Sequence, residues 1–327
     1  MAQLADETAS QIISRVEQNL DVGLAMQFKN VADRLLTESK RTKELRKLMR
    51  TRFGLPLHVS SSKVGESSVE LSVRARGATL GTIAIGKRGR RTFRPAAGLK
   101  AAWDSTGTSS EDWADPKVRR FLKNAAQEIS EGKHPGLVGA EGDKESVIEA
   151  EFISALRRHP KPSALAHNAL VLYPAAGGMP LQFPVPHRPR AKTVEAGESA
   201  RKTLGHSDVL ARHGRGPNSA LRVFELKRPD APDTDHALVQ ALEYAAALRK
   251  VWRENPKIAE LWGYESRGAS SGLKFEATAV VLDTVQNRDA LRASRTRLIR
   301  DGGDIELSLL FYTWDQRRVS KWSRDDE

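Results

Sequence analysis

The sequence predicts an α/β (α+β) fold, in which a mixed β-sheet is flanked by helices and joined to a separate N-terminal α+β domain. Two observations predict this fold. Several short segments alternate apolar and polar residues, as strands do, and between them apolar residues recur at the three- and four-residue steps of amphipathic helices. The chain has 327 residues, more than the roughly 150 of a typical domain, so two domains are expected.

The boundary between the two domains is expected at residues 132–143. This segment contains four glycines and one proline, and it has few residues able to build a core. We therefore expect an N-terminal domain over 1–131, a linker over 132–143 and a second domain over 144–327.

The N-terminal domain is expected to contain two helices and a β-hairpin. Apolar residues at helical spacing predict a long helix within 3–50, interrupted at Gly23. Alternation over 69–74, followed by the apolar stretch 80–85, predicts the hairpin, and a second helix is expected after Asp115 as its N-cap. The apolar stripe of the first helix must be buried somewhere, and dimerisation is one use of it that remains open.

The second domain shows a distinct order of elements, in which a helix is followed by several strands and then by a further helix and strand. The predicted elements are a helix over 144–158, strands over 168–173, 179–185, 206–212 and 220–227, a helix over 235–252, a strand over 277–283, a helix over 289–299 and a strand over 305–313.

Positive charge is concentrated in one part of the chain. Of the net charge of +12, an excess of eight lies in residues 51–100. Clustered cations favour a polyanionic partner, because neutralising phosphates releases condensed counterions. The candidate DNA-binding residues are Lys87, Arg88, Arg90, Arg91 and Arg94. Phe93 lies among them and either stacks on a base or anchors a solvated loop in the core.

The composition also narrows the cellular setting. There are no cysteines, which removes disulfides and thiolate metal sites and fits a cytoplasmic protein. No segment reaches the roughly 18 to 20 consecutive apolar residues of a membrane-spanning helix, and the N-terminus lacks the pattern of a secretory signal.

Two acids and a lysine carry the strongest chemical signal. Glu225 and Lys227 end an apolar strand and, two residues apart, project from the same face of it. If the preceding strand pairs antiparallel with it, Asp208 falls beside Glu225. Two neighbouring carboxylates repel each other unless a cation lies between them, and carboxylate oxygens are ligands that Mg²⁺ prefers. As an alternative, the three residues are a solvated strand end and a turn acid.

This arrangement resembles the PD-(D/E)XK nuclease superfamily, whose fold is restriction-endonuclease-like. Asp208 matches the first acid, Glu225 and Lys227 match the E-X-K, and Ser207 stands where the family name places proline. The resemblance covers about 144–285. It implies an endonuclease that hydrolyses DNA with Mg²⁺, which Mn²⁺ can replace. The implied metal ligands are Asp208, Glu225 and the Leu226 carbonyl, and Lys227 would assist the attacking water.

Further matches extend the resemblance. Glu149 resembles the acid that such nucleases often carry on their first core helix, and it would support a metal ion. Gln240 and Tyr244 match a Q-x-x-x-Y signature and would position the substrate. The segment around Glu225 also resembles Shedu-type phage-defence nucleases, which implies a role in defence, restriction or repair. A homo-oligomer with a regulatory protein partner is expected. The alternatives are a non-catalytic DNA-binding or assembly protein and an effector nuclease activated by a partner.

Overall fold

The computed structural model describes part of the chain, and the predicted linker at 132–143 lies outside that part, so the domain boundary stays a prediction. The described residues are 7–20, 22, 26, 29, 37, 57–64, 68–75, 78–107, 112–131, 147–149, 151–152, 169–171, 181–185, 205–213, 220–231, 234–255, 274–301, 303–315 and 318–325.

The first helix, α1 (Ala9–Gln18), is shorter than predicted. It begins after Thr8, whose side chain forms a capping box with Gln11, and it ends at the C-cap Asn19. Residue 22 is helical again, and the predicted interruption at Gly23 lies outside the described residues.

The basic part of the chain forms a four-stranded antiparallel sheet in the order β1-β2-β3-β4. Its strands are β1 (Leu57–Val64), β2 (Ser68–Ala75), β3 (Ala78–Gly86) and β4 (Arg91–Pro95). The pairing of β2 with β3 confirms the predicted hairpin, whereas β1 and β4 were not predicted. Two helices follow, α2 (Lys100–Asp104) and α3 (Pro116–Ser130). Asp115 caps α3 as predicted, since its side chain accepts a hydrogen bond from the Lys117 N–H at 2.7 Å.

A second, mixed sheet contains seven strands. Its main path runs β11-β10-β9-β8-β7-β5, and β6 pairs with β7 off that path. The strands are β5 (Ala169–Val171), β6 (Leu181–Val185), β7 (Gly205–His213), β8 (Ala220–Leu226), β9 (Lys274–Leu282), β10 (Ile305–Asp315) and β11 (Arg318–Arg324). Neighbours β8, β9 and β10 are parallel, while β7 and β11 run antiparallel to them. A mixed α/β architecture with helices on its sheets is therefore confirmed.

Two features of the larger sheet were not among the predictions. Strand β11 was not predicted. The first two strands, β5 and β6, lie along the two ends of the same edge of β7, because β5 pairs with residues 211–213 and β6 with residues 205–209.

The long helix α4 (Ala237–Glu254) lies against the centre of the larger sheet, over β8 and β9. Thirteen of its 18 residues are buried, including a run of alanines at 245–247. A helix that is apolar on nearly every side needs cover on both faces. The sheet covers one face, and α1 packs against the other. A further helix, α5 (Val285–Leu298), connects β9 to β10.

Charged side chains join α1 to α4. Arg15 donates to Glu243 at 3.0 Å, and Arg249 donates to Glu17 at 2.7 Å, so each helix supplies one cation and one anion. The apolar residues Ile12, Ile13 and Val16 of α1 are buried. The first helix of the predicted N-terminal domain is thus packed on a helix of the predicted nuclease domain.

Within the described ranges, no helix is both long enough and apolar enough to cross a membrane.

Candidate active site

The pairing of β7 with β8 determines where the two predicted acids lie. Val209 is opposite Phe224 and Leu210 is opposite Val223, so the next pair along the ladder is Asp208 with Glu225. Opposite residues of an antiparallel pair project from the same face of the sheet. The predicted antiparallel pairing is therefore confirmed.

Asp208 is fixed where β7 meets the end of β8. Its Oδ2 accepts a hydrogen bond from the backbone N–H of Leu226 at 2.6 Å. Asp208 is 6% exposed and Glu225 is 2% exposed. Burying a charged group is costly unless it is paired or hydrogen-bonded, so these carboxylates are held by specific contacts.

Lys227 joins the strand to the helix above it. Its Nζ lies 2.8 Å from Glu225 Oε1 and donates to Gln240 Oε1 at 2.9 Å. Gln240 Nε2 in turn donates to the Tyr244 hydroxyl at 2.9 Å. The four-residue spacing of Gln240 and Tyr244 puts both on one face of α4. Four of the predicted site residues thus form one connected chain of polar contacts.

The pKa of the Tyr244 hydroxyl depends on the charges of both acids. Burial raises the pKa of Tyr244 far above its ordinary value, and the negative charges of Glu225 and Asp208 raise it further. The hydrogen bond from Gln240 opposes this rise. The phenol therefore stays protonated and neutral over the physiological pH range.

The backbone of Lys227 is held from the neighbouring strands. Its N–H donates to the Val280 carbonyl at 2.9 Å, and its own carbonyl accepts a hydrogen bond from the Tyr312 hydroxyl at 2.6 Å. Tyr312 is buried in β10, 85 residues further along the chain. Sequence reasoning missed Tyr312, because it lies within an apolar strand that carries no local sign of a polar role.

Glu149 is buried. Its helical segment contacts the face of β8 that points away from Glu225, whereas Gln240 contacts Lys227 on the Glu225 face. Residues 147–149 and 151–152 are helical, and the Phe152 ring lies 4.8 Å from the Phe224 ring. Phe224 points to the face of β8 opposite Glu225. The described side chains contain no group of three or more His, Asp or Glu that would share one ion. A metal-supporting role for Glu149 stays a prediction.

Another acid, Asp283, lies just after the carboxyl end of β9. Arg288 donates to its two oxygens at 2.7 and 3.0 Å, and these hydrogen bonds lower the pKa of Asp283. The Ser323 hydroxyl also donates to it at 3.2 Å. These contacts make Asp283 part of an ion pair that joins β9, α5 and β11.

The predicted DNA-contacting residues lie in the turn between β3 and β4 and in β4 itself. Lys87, Arg88, Arg90 and Arg94 are exposed, and Arg91 is half-buried. Phe93 is fully buried. The suggestion that Phe93 stacks on a base is therefore wrong, and its alternative, an anchor in the core, is confirmed.

The donor atoms at the junction of β7 and β8 suit a hard divalent cation. Asp208 and Glu225 offer carboxylate oxygens, and Leu226 between Glu225 and Lys227 offers a backbone carbonyl. Oxygen donors of this kind are the preferred ligands of Mg²⁺. The ammonium of Lys227 lies 2.8 Å from Glu225 Oε1, so the Glu225 carboxylate already pairs with one cation.

Comparison of the chain with protein-family models, with curated proteins and with solved structures finds no match in any of the three. Function is therefore inferred from the residues of the site and their geometry.

Proposed function

We propose that this protein is a Mg²⁺-dependent DNA endonuclease of the PD-(D/E)XK type. The observation that carries the proposal is the convergence of Asp208, Glu225 and Lys227 where the antiparallel pair β7–β8 ends. Two buried acids of opposite strands and an amine two residues further along form the constellation that such nucleases use.

The order of elements supports the finer fold assignment, restriction-endonuclease-like, which is part of the same proposal. Helical residues at 147–149 and 151–152 precede the antiparallel strands β6, β7 and β8, and α4 and the parallel strand β9 follow. The E-X-K residues lie at the end of β8, in the middle of the sheet.

Each residue of the site has a role in phosphodiester hydrolysis. Asp208, Glu225 and the Leu226 carbonyl would hold the ion, which would supply positive charge to offset that of the phosphate and would favour hydroxide over water. Lys227 orients the attacking water through its ammonium and offsets the negative charge that develops on the phosphate. Water oxygen bonds to phosphorus, one bond from phosphorus to a sugar oxygen breaks, and the leaving oxygen takes up a proton.

Residues of α4 maintain the position of the amine. Gln240 accepts a hydrogen bond from Lys227 and donates one to Tyr244, so the two α4 side chains fix the direction of the ammonium. Because Tyr244 stays neutral, it adds no negative charge beside the two acids.

Burial argues against the alternative in which these residues are a solvated strand end. A solvated end leaves its charges in water, whereas the side chains of Glu225 and Lys227 are 2% and 15% exposed. Charged groups that are buried together in this way are characteristic of functional sites.

The test is cleavage of supercoiled, linear and single-stranded DNA, with and without Mg²⁺, by the wild type and by Lys227→Ala. We expect Mg²⁺-dependent cutting, reduced at least about 100-fold in the variant through loss of the amine. Lys274→Ala is the matched control, since Lys274 is an exposed lysine at the opposite end of the adjacent strand β9. It is expected to cut normally.

Three other outcomes would each be informative. Intact DNA under both Mg²⁺ and Mn²⁺, or full activity of Lys227→Ala, contradicts the proposal. Binding without cutting would favour a non-catalytic DNA-binding or assembly protein. Cutting only after a protein partner is added would favour an effector nuclease in phage defence, restriction or repair.

A further inference from the structure

A tight turn presents the basic residues of the smaller sheet. The Gly86 N–H donates to the Arg90 carbonyl at 2.9 Å, and the Gly89 N–H donates to the Gly86 carbonyl at 2.8 Å. Gly89 has a φ of 80°, a left-handed conformation that glycine adopts without strain. The turn therefore has a defined backbone, from which Lys87, Arg88 and Arg90 extend into solvent.

The aromatic residue of this hairpin points the other way. Phe93 is fully buried, and its ring centroid lies 5.4 Å from that of Trp103 and 6.3 Å from that of Trp113. It also packs so closely on Gly81 that a Cβ there would meet the ring at 2.6 Å. The ring is part of the core and is unavailable to a nucleobase.

The surface around the turn has few acids. Residues 71–103 contain eight lysines and arginines and no aspartate or glutamate. The four strands of the sheet carry one acid, Glu70, which pairs with Ala84, two residues before β3 ends at Gly86. The positive charge of the turn is therefore little offset by its own sheet.

We propose that the β3–β4 turn binds the phosphate backbone of double-stranded DNA. The choice of DNA as the polyanion rests on the proposed function. The exposed contacts are cations, which bind phosphates without reading sequence. The surface is thus indifferent to the sequence of the duplex.

The exposed chemistry of the hairpin favours a duplex over other polyanions. Proteins that hold single strands combine cations with aromatic side chains on which bases stack, and here the hairpin aromatic is buried. Membrane-surface binding relies on apolar side chains that enter the lipid, and the apolar residues Ile83, Ile85 and Phe93 of the hairpin are buried too.

The test compares two triple variants with the same loss of charge. One is Lys87→Gln, Arg88→Gln and Arg90→Gln in the turn. The matched control is Arg119→Gln, Arg120→Gln and Lys123→Gln, on the exposed side of α3. Binding of a labelled duplex and of a single strand of the same length is measured by fluorescence anisotropy in EDTA over a range of salt concentrations, so that no cutting is needed.

We expect the wild type to bind the duplex more tightly than the single strand. The turn variant should bind the duplex at least about tenfold more weakly, and its slope of log affinity against log salt should be smaller by about 2.7, roughly 0.9 for each phosphate that is no longer neutralised. The α3 control should behave as the wild type.

Equal losses in both variants would overturn the proposal, because they would reflect net charge alone. Tighter binding to the single strand, or turn-dependent binding to phosphatidylserine vesicles without binding to the duplex, would also overturn it. Failure of the proposed function gives a different result, since turn-dependent duplex binding would then persist in a protein that never cuts.

Discussion

Replacing Lys227 with methionine separates the effect of its charge from that of its bulk. Methionine keeps much of the apolar stem and removes the ammonium that lies 2.8 Å from Glu225 and 2.9 Å from Gln240. Glu225 then stays buried without this cation. The ammonium and a divalent ion would both interact with the Glu225 carboxylate, so the substitution tests stability and metal affinity together.

The expected magnitude follows from the burial of this pair. Removing one partner of a buried ion pair costs roughly 3 to 5 kcal/mol. Since the Lys227 side chain is 15% exposed, water can solvate part of the space that the ammonium leaves, and we expect the lower end, about 3 kcal/mol, in metal-free protein. Mg²⁺ at about 100 times its dissociation constant stabilises a folded protein by about 2.7 kcal/mol. The variant should gain more from a given Mg²⁺ concentration than the wild type, because the ammonium no longer competes for Glu225.

Urea unfolding followed by tryptophan fluorescence, in EDTA and in Mg²⁺, measures both quantities. Lys274→Met on the exposed start of β9 is the matched control and should change neither. If Lys227→Met and the wild type unfold with equal free energies in EDTA and respond equally to Mg²⁺, then Lys227 is a solvated strand end and the reasoning is refuted.

Three further predictions concern the surroundings of the site. The pKa of Tyr244 is higher in the folded protein than the value of 10.0 in the unfolded chain. The contribution of Tyr244 to folding stability is therefore complete below about pH 10 and is lost as the pH rises above it. The free-energy advantage of the wild type over Tyr244→Phe should therefore shrink by about 1.4 kcal/mol per pH unit in urea unfolding at alkaline pH, and parallel pH curves would contradict this. Tyr312→Phe removes the hydrogen bond to the Lys227 carbonyl, so it should lower the free energy of unfolding by about 1 kcal/mol and lower kcat with little change in KM. A change in KM alone would argue against a role of Tyr312 in positioning Lys227. Glu276→Gln removes the buried anionic partner of Arg222 and should lower the free energy of unfolding by roughly 3 to 5 kcal/mol. Replacing both residues by apolar ones should leave the free energy of unfolding nearly unchanged. Equal losses in the two variants would contradict this prediction.

Local patterns in the sequence were sufficient to predict the core of the site. The strand over 220–227 and the helix over 235–252 correspond closely to β8 and α4, because β8 is a short, mostly apolar segment and α4 repeats apolar residues at helical spacing. Strand alternation put Glu225 and Lys227 on one face, and helical spacing put Gln240 and Tyr244 on another. The contacts between these two faces then follow from packing α4 on β8.

Contacts between distant segments, and strands rich in charge, were not predictable in this way. No strand was predicted in the basic run at 87–94, although its second half is β4, a strand with a single buried residue, Phe93. Strand β11 has the same character, with its polar residues interspersed among Val319 and Trp322. The bond from Tyr312 to Lys227 depends on the parallel arrangement of β8, β9 and β10, which no local pattern reveals.

The packing of α1 on α4 constrains the order in which the chain can fold. Arg15 and its partner Glu243 are 228 residues apart, so during synthesis the first helix leaves the ribosome long before the surface that covers it exists. Contacts of such long range slow folding, because a large loop must close before they form. The apolar face of α1, with Ile12, Ile13 and Val16, lacks its cover until α4 has been translated. When α1 then packs on α4, it completes the burial of the helix that carries Gln240 and Tyr244.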